Sequence, residues 1–169
     1  MPFETAIITD PLTLSPETKV AEALEFVKEH RIRAAPVVDA QGVFVGIFSI
    51  SRVLKKLLPA AALVDEGLSG LAFTVGAAPG IAKKLDKIKQ KPVKEIMTED
   101  VYAVDGETAF WEMIRLLLKY GSPLPIIDKE NGKLTGIISI QSVVHDLEDI
   151  LERMAEGQTI IETSKLTKK

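Results

Sequence analysis

The sequence predicts an α/β fold made by using one strand-helix-strand-strand-helix unit twice, the copies related by a pseudo-twofold axis and separated by an inserted apolar linker. Three observations carry that reading. Gly46-Ile47-Phe48-Ser49-Ile50 returns 90 residues later as Gly136-Ile137-Ile138-Ser139-Ile140. The same displacement maps Glu17-Thr18 onto Glu107-Thr108 and Asp10 onto Asp100. Between these anchors both copies carry apolar residues at i, i+3, i+4 and i+7, namely Val20, Ala23, Leu24, Val27 and Phe110, Met113, Ile114, Leu117. That spacing lines one face of a helix, so each copy holds an amphipathic helix in register.

After each helix comes an apolar strand signal, Ala35-Pro36-Val37-Val38-Asp39 or Leu124-Pro125-Ile126-Ile127-Asp128, where the second copy has lost one residue from the preceding loop. Turn residues follow, Ala40-Gln41-Gly42 or Lys129-Glu130-Asn131-Gly132, and open into Val43 to Ile50 or Lys133 to Ile140. Strand, turn and longer strand make a hairpin. Each copy ends in a second helix, over Ser51 to Leu58 or Gln141 to Met154, that starts beside the serine closing the strand. The organisation is therefore a first motif at 1–58, a linker with short helices at 59–91, a second motif with an extended C-terminal helix at 92–157, and a disordered tail at 158–169. A unit of roughly 55 residues buries too little surface to stand alone, so the copies are expected to pack together and share a core.

The linker is not a plain tether, because Gly67 to Ala82 carries no charge and includes Leu68, Leu71, Phe73, Val75 and Ile81. It is expected to bury, with Lys83 to Lys91 a solvated basic segment. Its glycines match neither the phosphate-binding loop nor the dinucleotide fingerprint.

Composition removes several function classes. A net charge of -3 with a pI near 5.5 gives no positive field to gather a phosphate polymer, so nucleic acid is not an expected partner. The chain has no cysteine, which excludes thiolate chemistry and cysteine-bound zinc and fits a cytoplasmic location. No run of the ~20 apolar residues needed to span a bilayer occurs, and the opening residues lack the pattern of a secretory signal. His30 is expected on the negative end of the first helix, and His145 on a solvated acidic face with Asp146, Glu148 and Asp149. No third ligand accompanies His145 and Asp149, so no metal site is expected. No nucleophile-base pair is evident, and the chain is not expected to be an enzyme.

A short strand after Ile-Met-Thr, a Glu-Thr before an amphipathic helix, an apolar-Pro-Val-Val-Asp strand and a Gly-Ile-x-Ser strand end, in that order and twice, resemble the CBS domain, and the tandem pair resembles a Bateman module. The resemblance covers residues 3 to 58 and 92 to 148. It implies a regulatory module needing no cofactor, whose clefts between paired motifs hold an adenosine compound: AMP, ADP, ATP or S-adenosylmethionine. Three stretches of each copy would line such clefts. These are the strand start at Thr9 and at Thr98 to Val101, the loop at Ile32-Arg33-Ala34 and at Gly121-Ser122-Pro123, and the strand-to-helix junction at Ser49, Ser51 and Arg52 and at Ser139, Gln141 and Ser142.

The chain departs from the family where an aspartate three residues after the junction serine would clamp both ribose hydroxyls. Arg52 and Ser142 stand there instead, one with no acceptor and one too short to bridge two hydroxyls. The first cleft has compensation in Arg31, Arg33 and Arg52, whose forked donors suit phosphate, with Ser49 beside them and Thr9 and Ser51 secondary. The bland alternative pairs those arginines with Glu25, Glu29 or Asp39. The second cleft offers no charge. A small-molecule sensor, dimerising through the faces Val20 to Val27 and Phe110 to Leu118 or through the linker and serving an enzyme or transporter in trans, is one reading; an assembly module whose nucleotide sites have degenerated is the other.

Overall fold

The computed structural model describes residues 4–58 and 78–157; the readings made for 59–77 and for the tail fall outside the described residues. In chain order the elements are β1 (Ile7–Ile8), α1 (Val20–Glu29), β2 (Ala34–Val38), β3 (Phe44–Ser49), α2 (Ile50–Leu57), α3 (Ala78–Lys89), β4 (Val104–Asp105), α4 (Phe110–Tyr120), β5 (Leu124–Ile127), β6 (Leu134–Ile138) and α5 (Ile140–Ala155), with 3-10 turns at Glu4–Ala6 and Val93–Glu95. Both units of the repeat take the α/β form that the sequence predicts.

The boundaries of the units in space differ from those of the repeat in sequence. One unit runs from Leu12 to Val101; the other joins the residues up to Pro11 with those from Tyr102 onward. In the first, the β2-β3 hairpin is flanked by Thr98, which bridges Ile47, and by Leu14, which bridges Val37 in parallel. In the second, β6 and β5 are flanked by β1 and by β4, β4 again parallel. The ladder order is the same, and Ile8 and Thr98 occupy equivalent places at the displacement of 90. Each sheet is thus completed by the strand at the head of the other copy.

The hairpins form as their turn residues dictate. The Asp39 carboxylate accepts from the N–H groups of Gln41 and Val43, both at 2.9 Å, and Gly42 takes φ 82°. In the second hairpin Asp128 accepts from Glu130, Asn131 accepts from Lys133, and Gly132 takes φ 71°. A short polar side chain folded onto its own backbone stabilises such a turn, and glycine supplies the left-handed residue without steric cost.

The expected shared core resolves into two. One gathers Val20, Ala23, Val27, Ala35, Val37, Phe48, Val53 and Leu57 with Val93, Ile96 and Met97; the other gathers Val104, Met113, Leu116, Leu117, Leu124, Ile126, Ile138 and Val143 with Ala6. Neither is built from one copy alone. The α1 face Val20 to Val27 is spent on its own core, which corrects its reading as a dimer face; on α4, Met113, Leu116 and Leu117 face inward while Trp111 and Leu118 are exposed.

Residues 83–91 are not the solvated basic segment expected from the lysine run. To Lys89 they continue α3, whose Ile81, Leu85 and Ile88 pack against the first core while Lys83, Lys84 and Lys87 are exposed. The i, i+4, i+7 spacing of those three apolar residues places them on one face. Lys91 then caps α1, its carbonyl accepting from the Val20 N–H at 2.9 Å.

Both first helices end on a residue of positive φ, Arg31 at 54° and Gly121 at 99°. A side chain in the left-handed region costs roughly 1–2 kcal/mol, and glycine returns about 0.5–1 kcal/mol of that as chain entropy. Arg31→Gly is therefore expected to stabilise the fold by a few tenths to about 1 kcal/mol, read as a small rise in the urea midpoint. A lower midpoint would mean that the arginine side chain contributes more than its backbone costs.

Candidate functional site

The strand-to-helix junctions are built by their serines. Ser49 caps α2, its Oγ accepting from the Arg52 N–H at 3.1 Å and lying 3.1 Å from Ser51 Oγ. Ser139 and Ser142 form a reciprocal box at the head of α5: Ser139 Oγ accepts from Ser142 N–H at 3.0 Å, and Ser142 Oγ accepts from Ser139 N–H at 2.9 Å while donating to the Ser139 carbonyl. Such bonds satisfy amides that the helix itself leaves unpaired. The serine standing in the place of the ribose-clamping aspartate is thus committed to folding its own helix.

In the unit of residues 12–101 the loop and the junction come together. The Arg33 carbonyl accepts from the Ile50 N–H at 3.1 Å, and Ala34 pairs with Ser49 across the hairpin. Arg52 donates from Nε to the Ile96 carbonyl at 3.2 Å, tying α2 to the segment that leads into Thr98. Part of its guanidinium is therefore structural. Arg33 is exposed, Ile32 and Ala34 are half-buried, and neither Arg31 nor Arg33 makes an ion pair with a described residue. The bland alternative fails on its partners, since no bond joins these arginines to Glu25 or Glu29 and the Asp39 carboxylate is turned onto its own loop. Thr98 bonds reciprocally with Ile47 at 2.9 Å, and Val101 closes this unit.

The grouping expected from sequence is exchanged at the strand starts: Thr98 joins the first copy's junction, and Thr9, directly after β1, belongs with the second copy's. In that second unit Gly121 ends α4, a cis peptide joins Ser122 to Pro123, and Ser122 Oγ accepts from the Ile140 N–H at 3.4 Å. Gln141 is exposed in the first turn of α5. No charged side chain belongs to this set.

Neither histidine forms a cluster. His30 lies at the end of α1 with Nδ1 2.8 Å from the Phe26 carbonyl, and His145 lies 3.7 Å from Asp149 on the exposed side of α5. Among the described residues no group of three or more side chains is placed to hold a metal ion. Sequence reasoning missed Asp146, assigned to the solvated face of α5. It is 1% exposed, and neither carboxylate oxygen has a hydrogen-bond partner among the described residues. Burial, opposed by Arg153 and His145 and reinforced by Asp149, holds its carboxyl above the usual range. Its position two residues past Val144, amid other acids, carries no signal that it turns inward.

Comparison with known proteins places these features. The family model described as CBS domain matches twice, over residues 5–59 and 93–149. A 17.7 kDa protein from the bps2 3′ region of Acidianus ambivalens is 31% identical, the match covering 84% of this chain and 70% of that one. The inosine-5′-monophosphate dehydrogenase of Aquifex aeolicus is 32% identical over 83% of this chain, which spans only 23% of the dehydrogenase. Among solved structures, CBSX2 in complex with AMP is similar with a TM-score of 0.62 at 26% identity, covering 89% of this chain and 96% of that one. With the same motif matched at both copies of the repeat and the same ladder order in both units, the chain belongs to the CBS domain family.

Proposed function

We propose that the chain is a non-catalytic regulatory module that binds an adenine nucleotide at the unit of residues 12–101 and acts as a homodimer on a cytoplasmic enzyme or transporter. The observation that carries this reading is the loop-junction assembly of that unit. Exposed Arg33 and the head of α2 are held together there by a backbone bond, with Ser49, Ser51 and Arg52 on the helix and no acidic partner on Arg31 or Arg33. Unpaired guanidinium groups beside a helix start suit phosphate oxygens. The AMP complex of the CBSX2 relative supports adenosine as the base. A protein with this fold acts by differential affinity: a ligand that prefers one arrangement shifts the population toward it, and a partner reads the shift. Among the described residues no helix is long and apolar enough to cross a membrane.

A second reading is favoured for the other unit, where Ser142 is consumed by its capping box and Ser122 by an amide. That unit is proposed as structural, its site degenerate.

Thermal unfolding against AMP, ADP, ATP and S-adenosylmethionine, with and without Mg²⁺, tests the assignment. Ligand at about 100 times its dissociation constant stabilises by about 2.7 kcal/mol, a rise of roughly 5–10 °C for a chain of this size. Arg33→Ala is expected to keep the unliganded midpoint and lose the rise. Arg52→Ala is expected to lower the unliganded midpoint too, through the lost bond to Ile96. A folded protein that shifts with none of the four compounds would refute the nucleotide reading and leave the assembly module.

A further inference from the structure

The two junction helices are equivalents in the repeat, yet their surfaces have opposite character. Each follows a capping serine, begins with isoleucine, and turns a valine inward, Val53 or Val143. Each also carries a second apolar stripe facing outward. On α2 it is Ile50, Leu54 and Leu58; on α5 it is Ile140, Val144, Leu147, Leu151 and Met154, with Leu54 55% and Leu151 65% exposed. At 100° per residue these positions fall within one arc of each helix, beside the buried arc.

The charges around the two stripes are opposed. On α2 the charged residues are Arg52, Lys55 and Lys56, without an acid; on the outer side of α5 they are Glu148, Asp149 and Glu152, with Arg153 the cation of its last turn. Lys55 falls at the margin of the α2 stripe, and Glu148 and Glu152 fall at the corresponding margin of the α5 stripe. The asymmetry extends to the units: the described residues of the one bearing α2 hold more Lys and Arg than Asp and Glu, and those of the one bearing α5 hold the reverse.

We propose that two copies of this chain pair crosswise, the apolar stripe of α2 in one copy lying on that of α5 in the other. The inference rests on the homodimer of the preceding section and specifies its surface and orientation. Pairing α2 with α2 would set Lys55 and Lys56 against their own kind, and pairing α5 with α5 would oppose Glu148, Asp149 and Glu152 to theirs. Crosswise pairing covers both stripes and neutralises both margins, and in a twofold assembly the contact occurs twice. Charge of this kind discriminates between orientations more than it adds affinity.

Charge reversal on the full chain, followed by sedimentation equilibrium at low and high salt, tests this. Lys55→Glu/Lys56→Glu and Glu148→Lys/Glu152→Lys are each expected to weaken the dimer roughly 100-fold at low salt and less at high salt. The chain carrying all four substitutions is expected to recover it. Because the chain has no cysteine, oxidising a mixture of Leu54→Cys and Leu151→Cys chains gives a second readout, with mixed disulfide dimers expected over like-with-like ones. A wild-type chain that is monomeric at hundreds of micromolar overturns the dimer reading itself. A wild-type dimer that ignores both reversals, or that crosslinks like with like, overturns only the crosswise orientation.

Discussion

Gly46→Ala is expected to destabilise the protein by on the order of 3 kcal/mol, lowering the thermal midpoint by roughly 10 °C. A Cβ built on Gly46 would lie 2.7 Å from the Thr98 carbonyl oxygen and 3.0 Å from Met97 Sδ. The first of these is backbone and cannot swing aside. Relief requires moving the segment that exchanges two 2.9 Å hydrogen bonds with Ile47. That segment is anchored by buried Val93, Ile96 and Met97 and by the Arg52 bond to the Ile96 carbonyl. The cost is thus overpacking plus weakened bonds worth about 1 kcal/mol each.

Gly136 stands at the equivalent place, where a Cβ would meet the Ile8 carbonyl oxygen at 2.9 Å and Ile7 Cγ2 at 3.2 Å. Its neighbour is the two-residue β1, held through buried Ala6. Gly136→Ala should therefore cost less than Gly46→Ala and act by loosening β1 from β6, visible as faster amide exchange at Ile137 and Ile138. Equal stability of Gly46→Ala and wild type in urea titration would show that the crossing segment yields freely.

Replacing Asp146 is expected to work in the opposite direction. Asp146→Asn should stabilise the protein near neutral pH by about 1–3 kcal/mol, the cost of a buried polar group without a partner. Asp146→Leu, which removes the polar group entirely, should gain at least as much. The pH dependence identifies the cause. An acid whose native pKa is raised keeps its proton between its ordinary value near 3.8 and the raised value, while the unfolded chain has already lost it. Stability contributed by this group therefore falls as pH rises through that window and is at its minimum above it. The advantage of Asp146→Asn should vanish below pH 3.8 and grow as the pH rises. An advantage independent of pH would assign the gain to packing, and destabilisation at pH 7 would show that the carboxylate has a bonding partner.

Much of this fold could be read from the chain. The displacement of 90 residues set both hairpins in register, because Asp39, Gly42, Asp128 and Gly132 determine turns through bonds only a few residues long. The junction serines were legible for the same reason. What stayed hidden is long-range. Ile7-Ile8 and Thr98 have the composition of short edge strands, and nothing local says which sheet receives them. The α3 helix was masked by its lysines, whose charge hid an apolar spacing of only three residues. Asp146 looks like every other acid on α5 until the packing of α5 on the 3-10 turn and β1 is known. Of the candidate site, the residues were legible but not their duties: Arg52 and Ser142 turned out to spend bonding capacity on the fold.

The exchanged head strands bear on how such a chain could have arisen. Each copy begins with a strand that its own hairpin does not use. A single-copy ancestor would have left one edge of its sheet open unless a second identical molecule supplied the strand. Duplication and fusion of a gene for such a mutually swapped pair would give the present order, in which cutting the chain at the boundaries of the repeat leaves two incomplete halves. Two separately expressed fragments, 1–58 and 92–157, would on this history be partners before they are domains.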